Sequence, residues 1–217
     1  ANGTSAKPIT FTSSQHIANG IVDGLANGEA GQWGGMIVLG NAYSTKCPEA
    51  GDCSLQVEGA QEGAVFGGSD NTESSGTLRY VRVMHGGYEI APDNELNGIT
   101  FGGVGSGTTL EYLQVHKNAD DGVEFFGGSV NARYLVLTGI QDDSVDWDNG
   151  YQGKMQFVLV KHAADNSDAN RGIEGDGDGG TGTPFSNPTI ANMTIIGNTY
   201  DGEDDAEGVL LRDQTNA

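Results

Sequence analysis

Short apolar runs alternate with glycine-rich polar stretches along the whole chain, and the runs repeat. Five segments align without gaps: Leu78-Arg-Tyr-Val-Arg-Val83, Leu110-Glu-Tyr-Leu-Gln-Val115, Ala132-Arg-Tyr-Leu-Val-Leu137, Met155-Gln-Phe-Val-Leu-Val160 and Ile190-Ala-Asn-Met-Thr-Ile195. Each is followed by a second, shorter run: Gly98-Ile-Thr-Phe101, Gly122-Val-Glu-Phe125, Ser144-Val-Asp-Trp147, Gly172-Ile-Glu-Gly175 and Gly208-Val-Leu-Leu211. Starts of the first run lie 32, 22, 23 and 35 residues apart, a minimal unit of about 22 with insertions. Runs this short, rich in β-branched and aromatic residues and bounded by turn residues, predict strands. No stretch carries the period and caps of a long amphipathic helix.

A unit this small cannot bury its own apolar face and must stack on its neighbours. Similar successive strands stack in parallel, so the predicted fold is all-β: a right-handed parallel β-helix, a single domain over 1–217. Equivalent residues then form columns roughly 4.8 Å apart. Tyr80, Tyr112, Tyr134 and Phe157 form an aromatic ladder, expected inside. Val83, Val115, Leu137, Val160 and Ile195 form an aliphatic column. Arg79, Glu111 and Arg133 form an outward column of alternating sign. In the N-terminal third, Pro8–Phe11, Met36–Leu39, Leu55–Val57 and Ala64–Phe66 read as strands of two or three earlier coils, with a loop or short helix within 12–32. Both ends read as open coil edges, and the chain as an excised part of a longer secreted one.

Charge narrows the functional classes. Thirty acidic residues against 10 basic give −20. No basic stripe in the sequence offers itself to phosphates, which argues against nucleic acid. Docking on an anionic membrane is disfavoured too, and no apolar run is long enough for direct membrane insertion. Cations are the expected partners. Cys47 and Cys53 flank a short polar loop and are expected to form a disulfide, which implies an oxidising, extracellular compartment.

Five runs carry a family resemblance: Trp33–Ala42, Ser75–Val83, Asn97–Tyr112, Asp120–Gly128 and Asp142–Tyr151. Together they resemble a group of bacterial secreted or surface-anchored β-helix proteins with the pectin-lyase-like fold, over about residues 1–165. The resemblance implies the fold and an extracellular or outer-surface location. It carries no catalytic residue across. The chain lacks the Gly-His-Gly and Arg-x-Lys elements of polygalacturonases and the Arg-x-Pro-x-x-Arg pattern of pectate lyases.

The candidate chemistry lies in the turns between first and second strands. These span 8 residues from Val115 to Val123 and from Leu137 to Val145, but 16, 13 and 14 in the other coils. Two low coils between taller ones predict a groove walled by 85–96 and 162–171. Its floor carries Asp120, Asp121, Asp142 and Asp143. Beside it Glu124, Asp146 and Glu174 share a column, and Arg171 aligns with Asp121 and Asp143, where it can replace a cation. Clustered carboxylates raise one another's pKa or bind a cation, and oxygen-only donors suit Ca²⁺. The expected calcium ligands are Glu174, Asp176 and Asp178 in a glycine-rich loop, with Asp201 and Asp204 in a second acidic run. Solvated acidic turns would read the same way.

Paired carboxylates at this spacing also suit a polysaccharide lyase or glycoside hydrolase, although any acidic β-helix passes that test. His85, His116 and His162 end first strands, as a catalytic base or as turn residues. Lys117, Lys154, Lys161 and Arg171 are expected partners of the floor. Trp147 and Trp33 could stack sugars, but Trp147 aligns with Phe101 and Phe125 and reads as core. The expected function is a structural or ligand-binding role at a cell surface or matrix, stabilised by Ca²⁺. The alternatives are a polysaccharide-cleaving enzyme, binding glycan in the groove, and a self-assembling subunit stacked head to tail.

Overall fold

A computed structural model describes residues 1–18, 29–47, 53–60, 62–90, 96–163, 171–177, 182–198 and 207–217. In chain order the elements are β1 (Ile9–Phe11), α1 (Ser14–Ala18), β2 (Met36–Leu39), β3 (Leu55–Gln56), β4 (Val65–Phe66), β5 (Thr77–Met84), β6 (Ile99–Gly102) and β7 (Thr109–His116). They continue with β8 (Val123–Phe126), β9 (Asn131–Thr138), β10 (Val145–Asp148), β11 (Lys154–Lys161), β12 (Ile173–Gly175), β13 (Thr189–Ile196) and β14 (Val209–Leu211). Two six-stranded sheets run the length of the molecule, β1-β5-β7-β9-β11-β13 and β2-β6-β8-β10-β12-β14. Every pairing within them is parallel. Each coil gives one strand to each sheet, and the fold is a right-handed parallel β-helix.

The register is the one the columns predict. Val83, Val115, Leu137, Val160 and Ile195 pair in succession, and all but the last are fully buried. Phe101 stacks on Phe125 and Phe125 on Tyr151, with centroids 5.0 and 4.4 Å apart. Trp147 follows Phe125 in the column, fully buried, its indole N–H donating to Thr215 Oγ1 at 2.9 Å. The next rung is Gly175, where a Cβ would lie 2.3 Å from the Trp147 ring. Glycine there makes room for tryptophan here.

The aromatic ladder is stacked, but on the outside. Tyr80, Tyr112, Tyr134 and Phe157 lie 4.4, 4.4 and 5.0 Å apart with nearly parallel rings, yet the tyrosines are half-buried and Phe157 is 42% exposed. The reason is backbone. All four residues have φ between 50° and 61°, and the pairing skips them, passing from Arg79↔Glu111 to Val81↔Leu113. A left-handed residue within a strand resets the in–out alternation. Arg79 and Tyr80 therefore both point outward, while Leu78 and Val81 point in. Glu111 bridges its column neighbours, 2.9 Å from Arg79 Nη2 and 2.8 Å from Arg133 Nε.

The N-terminal third also differs from expectation. Among the described residues only β1 and β2 form a coil there, pairing with β5 and β6. β3 and β4 instead pair antiparallel as a small hairpin outside the solenoid. Gly59 and Gly63, with φ of 68° and 96°, supply the turn between them. The hairpin packs Val57 and Phe66 on Phe126, and Cys47 and Cys53 form a disulfide beside it. Among the described residues no helix is long and apolar enough to cross a membrane.

A candidate cation site in a carboxylate pocket

Asn97, Asp121, Asp143 and Arg171 each stand two residues before the first residue of β6, β8, β10 and β12, and so form one column. Their carbonyls and amides stitch the coils together: Gly98 N–H donates to Asp121 O at 2.8 Å, Gly122 N–H to Asp143 O at 2.9 Å, and Ser144 N–H to Arg171 O at 3.0 Å. The side chains do the same. Asp121 Oδ1 accepts from Asp143 N–H at 3.1 Å, and Asp143 Oδ1 accepts from Arg171 N–H at 2.8 Å. Asp121 and Asp143 are buried, not displayed on a floor. Asn97 breaks the series. Its amide N–H groups donate to Glu124 and to Thr100 Oγ1, leaving Oδ1 buried without a donor.

Three residues further along each coil, in the strands themselves, Glu124, Asp146 and Glu174 pair in register. These two columns, with Asp120 and Asp142 at the turns, line one pocket of about 320 Å³. All seven residues expected to line the groove are there, together with Glu174. Asp121, Glu124 and Asp146 each offer one carboxylate oxygen, all mutually within 4.8 Å, and Asp120, Asp121 and Asp142 form a second such triad. Burial raises Asp121, Glu124 and Asp146 well above the usual carboxylate range, and the neighbouring carboxylates raise them further, Asp146 first for both Asp121 and Glu124 and Glu174 first for Asp146. Asp143 is pushed up to about 7 by burial, then by Asp142 and Glu174, with Arg171 opposing. Asp146 Oδ1 is buried with no hydrogen-bond donor.

The far end of the pocket is compensated by arginine. Arg171 Nη1 lies 3.7 Å from Asp143 and 3.4 Å from Glu174, and its Nε 3.3 Å from Glu207. Arg212 reaches Glu174 at 3.3 Å and Asp176 at 3.2 Å. Glu174 and Asp176, expected to hold calcium with Asp178, thus face guanidinium groups. Asp178, Asp201 and Asp204 lie outside the described residues, as do most of the expected walls, 91–95 and 164–170.

Other expected groups stand elsewhere. Lys117, Lys154 and Lys161 do not line the pocket, and among the described residues no histidine or aromatic residue does. His85 and His116 belong to a buried column with His16, ring centroids 4.6 and 5.9 Å apart. His162 is also buried. Trp33 donates its indole N–H to Met84 O at 2.7 Å. Three lining residues were not singled out from sequence: Asn97, Glu58 and Arg212. Asn97 could have been found, because it aligns with Asp121 and Asp143. The other two carry no local signal.

A family match spans residues 1–217 and is described as a pectate-lyase like beta helix domain. The chain belongs to this family. Comparison with curated proteins and with solved structures gives no significant match. Membership of the pectate-lyase like beta helix family agrees with the coil geometry. The family's description carries no site residue onto this chain.

Proposed function

We propose that this β-helix binds a divalent cation, Ca²⁺ by its donor chemistry, in the carboxylate pocket, and serves a structural or ligand-binding role at a cell surface or in an extracellular matrix. The observation that carries the reading is the triad Asp121, Glu124 and Asp146, three carboxylates converging within 4.8 Å, the first two buried and Asp146 half-buried. Three negative charges this close, two of them buried and none ion-paired to the arginines at the far end, are costly, and the group either takes up protons or binds a cation. The donors are all oxygen, which suits Ca²⁺ over softer metals. Asn97 Oδ1, buried and without a donor, adds a neutral oxygen to the pocket lining. The disulfide Cys47–Cys53 supports an oxidising compartment. The test is metal analysis of the purified protein and melting with and without chelator. Absence of bound metal, with a melting temperature indifferent to Ca²⁺, would sink the reading.

One observation favours a second reading, a polysaccharide lyase or glycoside hydrolase. Asp143, held near pH 7, sits in the same pocket as Arg171 and Arg212, so a proton-exchanging carboxyl lies beside cations. Depolymerisation of a polysaccharide, abolished by Asp143→Asn in a protein that still folds, would establish it in place of the first.

A further inference from the structure

The outer face of the larger sheet has a composition unlike the rest of the molecule. On a chain of net charge −20, β5, β7, β9 and β11 expose Arg79, Arg82, Arg133, Lys154 and Lys161. These are five of the ten lysines and arginines, and the only acid among those strands is Glu111. Glu111 is itself covered by Arg79 and Arg133. Arg82, Lys154 and Lys161 have no ion-pair partner among the described residues. Between these cations runs the stack Tyr80, Tyr112, Tyr134 and Phe157, with a shallow trough on each side. The trough of about 250 Å³ holds Arg82 and Gln114; that of about 300 Å³ holds Arg133, Lys154 and Gln156.

We propose that this face binds an extended polyanionic polysaccharide, lying along the solenoid axis against the ring stack, its sulfate or carboxylate groups on Arg82, Arg133, Lys154 and Lys161. Charge complementarity selects an anion, because this is where the acidic molecule turns a positive face outward. Periodicity selects a polymer, because cations, glutamines and rings recur at the coil spacing of roughly 4.8 Å. The ring arrangement selects sugar over nucleic acid. Tyr112 and Tyr134 are covered on both faces by their neighbours in the stack, so no base can stack on them. They present ring edges and phenol groups instead, and the phenols of Tyr80, Tyr112 and Tyr134 make no hydrogen bond to any described residue. A hydroxyl-rich chain can use those groups. A peptide cannot add as a strand here, because β5, β7, β9 and β11 are paired on both sides. The site is separate from the carboxylate pocket and does not rest on the reading given to it.

The experiment is binding of dextran sulfate, polygalacturonate and unsubstituted dextran to the full chain in excess chelator, which removes cation bridging at the pocket. The expected result is binding of one or both polyanions but not dextran, weakening at least tenfold between low and physiological salt. Arg82→Glu with Lys154→Glu and Lys161→Glu should abolish it, while Glu111→Gln, which releases Arg79 and Arg133, should strengthen it. Glu124→Gln with Asp146→Asn should leave it unchanged. Which polyanion binds tells sulfate from carboxylate. No polyanion binding in chelator, binding equal to that of dextran, or binding that survives the triple reversal in a folded protein would overturn the proposal.

Discussion

The Asp143 carboxylate accepts a hydrogen bond from the backbone N–H of Arg171 on the following coil, 2.8 Å away, while the Arg171 guanidinium returns to within 3.7 Å of it. One buried side chain thus joins two coils twice, once through backbone and once through charge. Asp143→Ala leaves a buried N–H unpaired and weakens the anchoring of Arg171, a loss of about 1–3 kcal/mol. For a domain of this size that is a fall of roughly 2–12 °C in melting temperature. Asp143→Asn keeps an acceptor for the N–H and should cost less than half as much. Calorimetry on both variants decides; equal losses would show that charge, not the hydrogen bond, is what Asp143 supplies.

Calcium and pH should act on the pocket together. Asp121, Glu124, Asp146 and Asp143 have folded-state values raised above their unfolded values of about 4. The folded protein therefore holds more protons than the unfolded chain from about pH 4 upward. Stability from these groups is fully present below pH 4 and is lost as pH rises through the folded values. In chelator the melting temperature should fall between pH 5 and pH 8. Saturating Ca²⁺ should cancel the fall. At a hundred times Kd it adds about 2.7 kcal/mol, or roughly 5–11 °C. Glu124→Gln with Asp146→Asn should remove the calcium response and flatten the chelator profile.

The left-handed residues make an unusual rank order testable. Tyr112 stacks between Tyr80 and Tyr134, each 4.4 Å away, at φ of 56°. Replacing it forfeits two stacked pairs, about 1–3 kcal/mol in all. Alanine keeps the backbone cost of a non-glycine residue in the left-handed region, on the order of 1 kcal/mol, and glycine does not. In strands glycine is ordinarily the worse substitution. At position 112 Tyr112→Gly should be the milder by about 1 kcal/mol in urea denaturation, and the opposite order would mean that the bend carries no strain.

How much of this was legible follows from what a repeat reveals. The pairing of Glu124 with Asp146 and Glu174, and of Val83 with Val115, is fixed by the spacing of apolar residues, because a slip of one residue would turn every side chain over. The direction of Tyr80 was not legible. Its apolar character places it inside under strict alternation, and a single left-handed residue reverses that without leaving a glycine as a sign. Glu58 reaches the pocket from the excursion that carries β3 and β4, and Arg212 from beyond β14; neither belongs to a repeated position. The basic face was hidden for a related reason. Arg82, Lys154 and Lys161 are scattered in a strongly acidic sequence and gather only when the coils stack.

The histidine column should oppose the carboxylates in acid. Burial first, then the nearby His85 and Lys117, together lower His116 to about 4, outweighing the hydrogen bond with Thr138. Its folded value is then below its unfolded value of about 6.5. Between these two the unfolded chain holds the extra proton, so stability is present above pH 6.5 and is lost as pH falls towards 4, by at most about 3 kcal/mol. The carboxylates change stability in the opposite direction over much of the same range, and a profile of the wild type alone would mix the two. Comparison with His116→Gln in the same chelator buffers separates them, because the carboxylates are common to both proteins. The variant should melt below the wild type at pH 7, through lost packing against His85, and the gap should narrow steadily down to pH 4. A gap that stays constant across that range would mean that His116 takes up its proton without penalty, and that the column of His16, His85 and His116 is open enough to water to hold a charge.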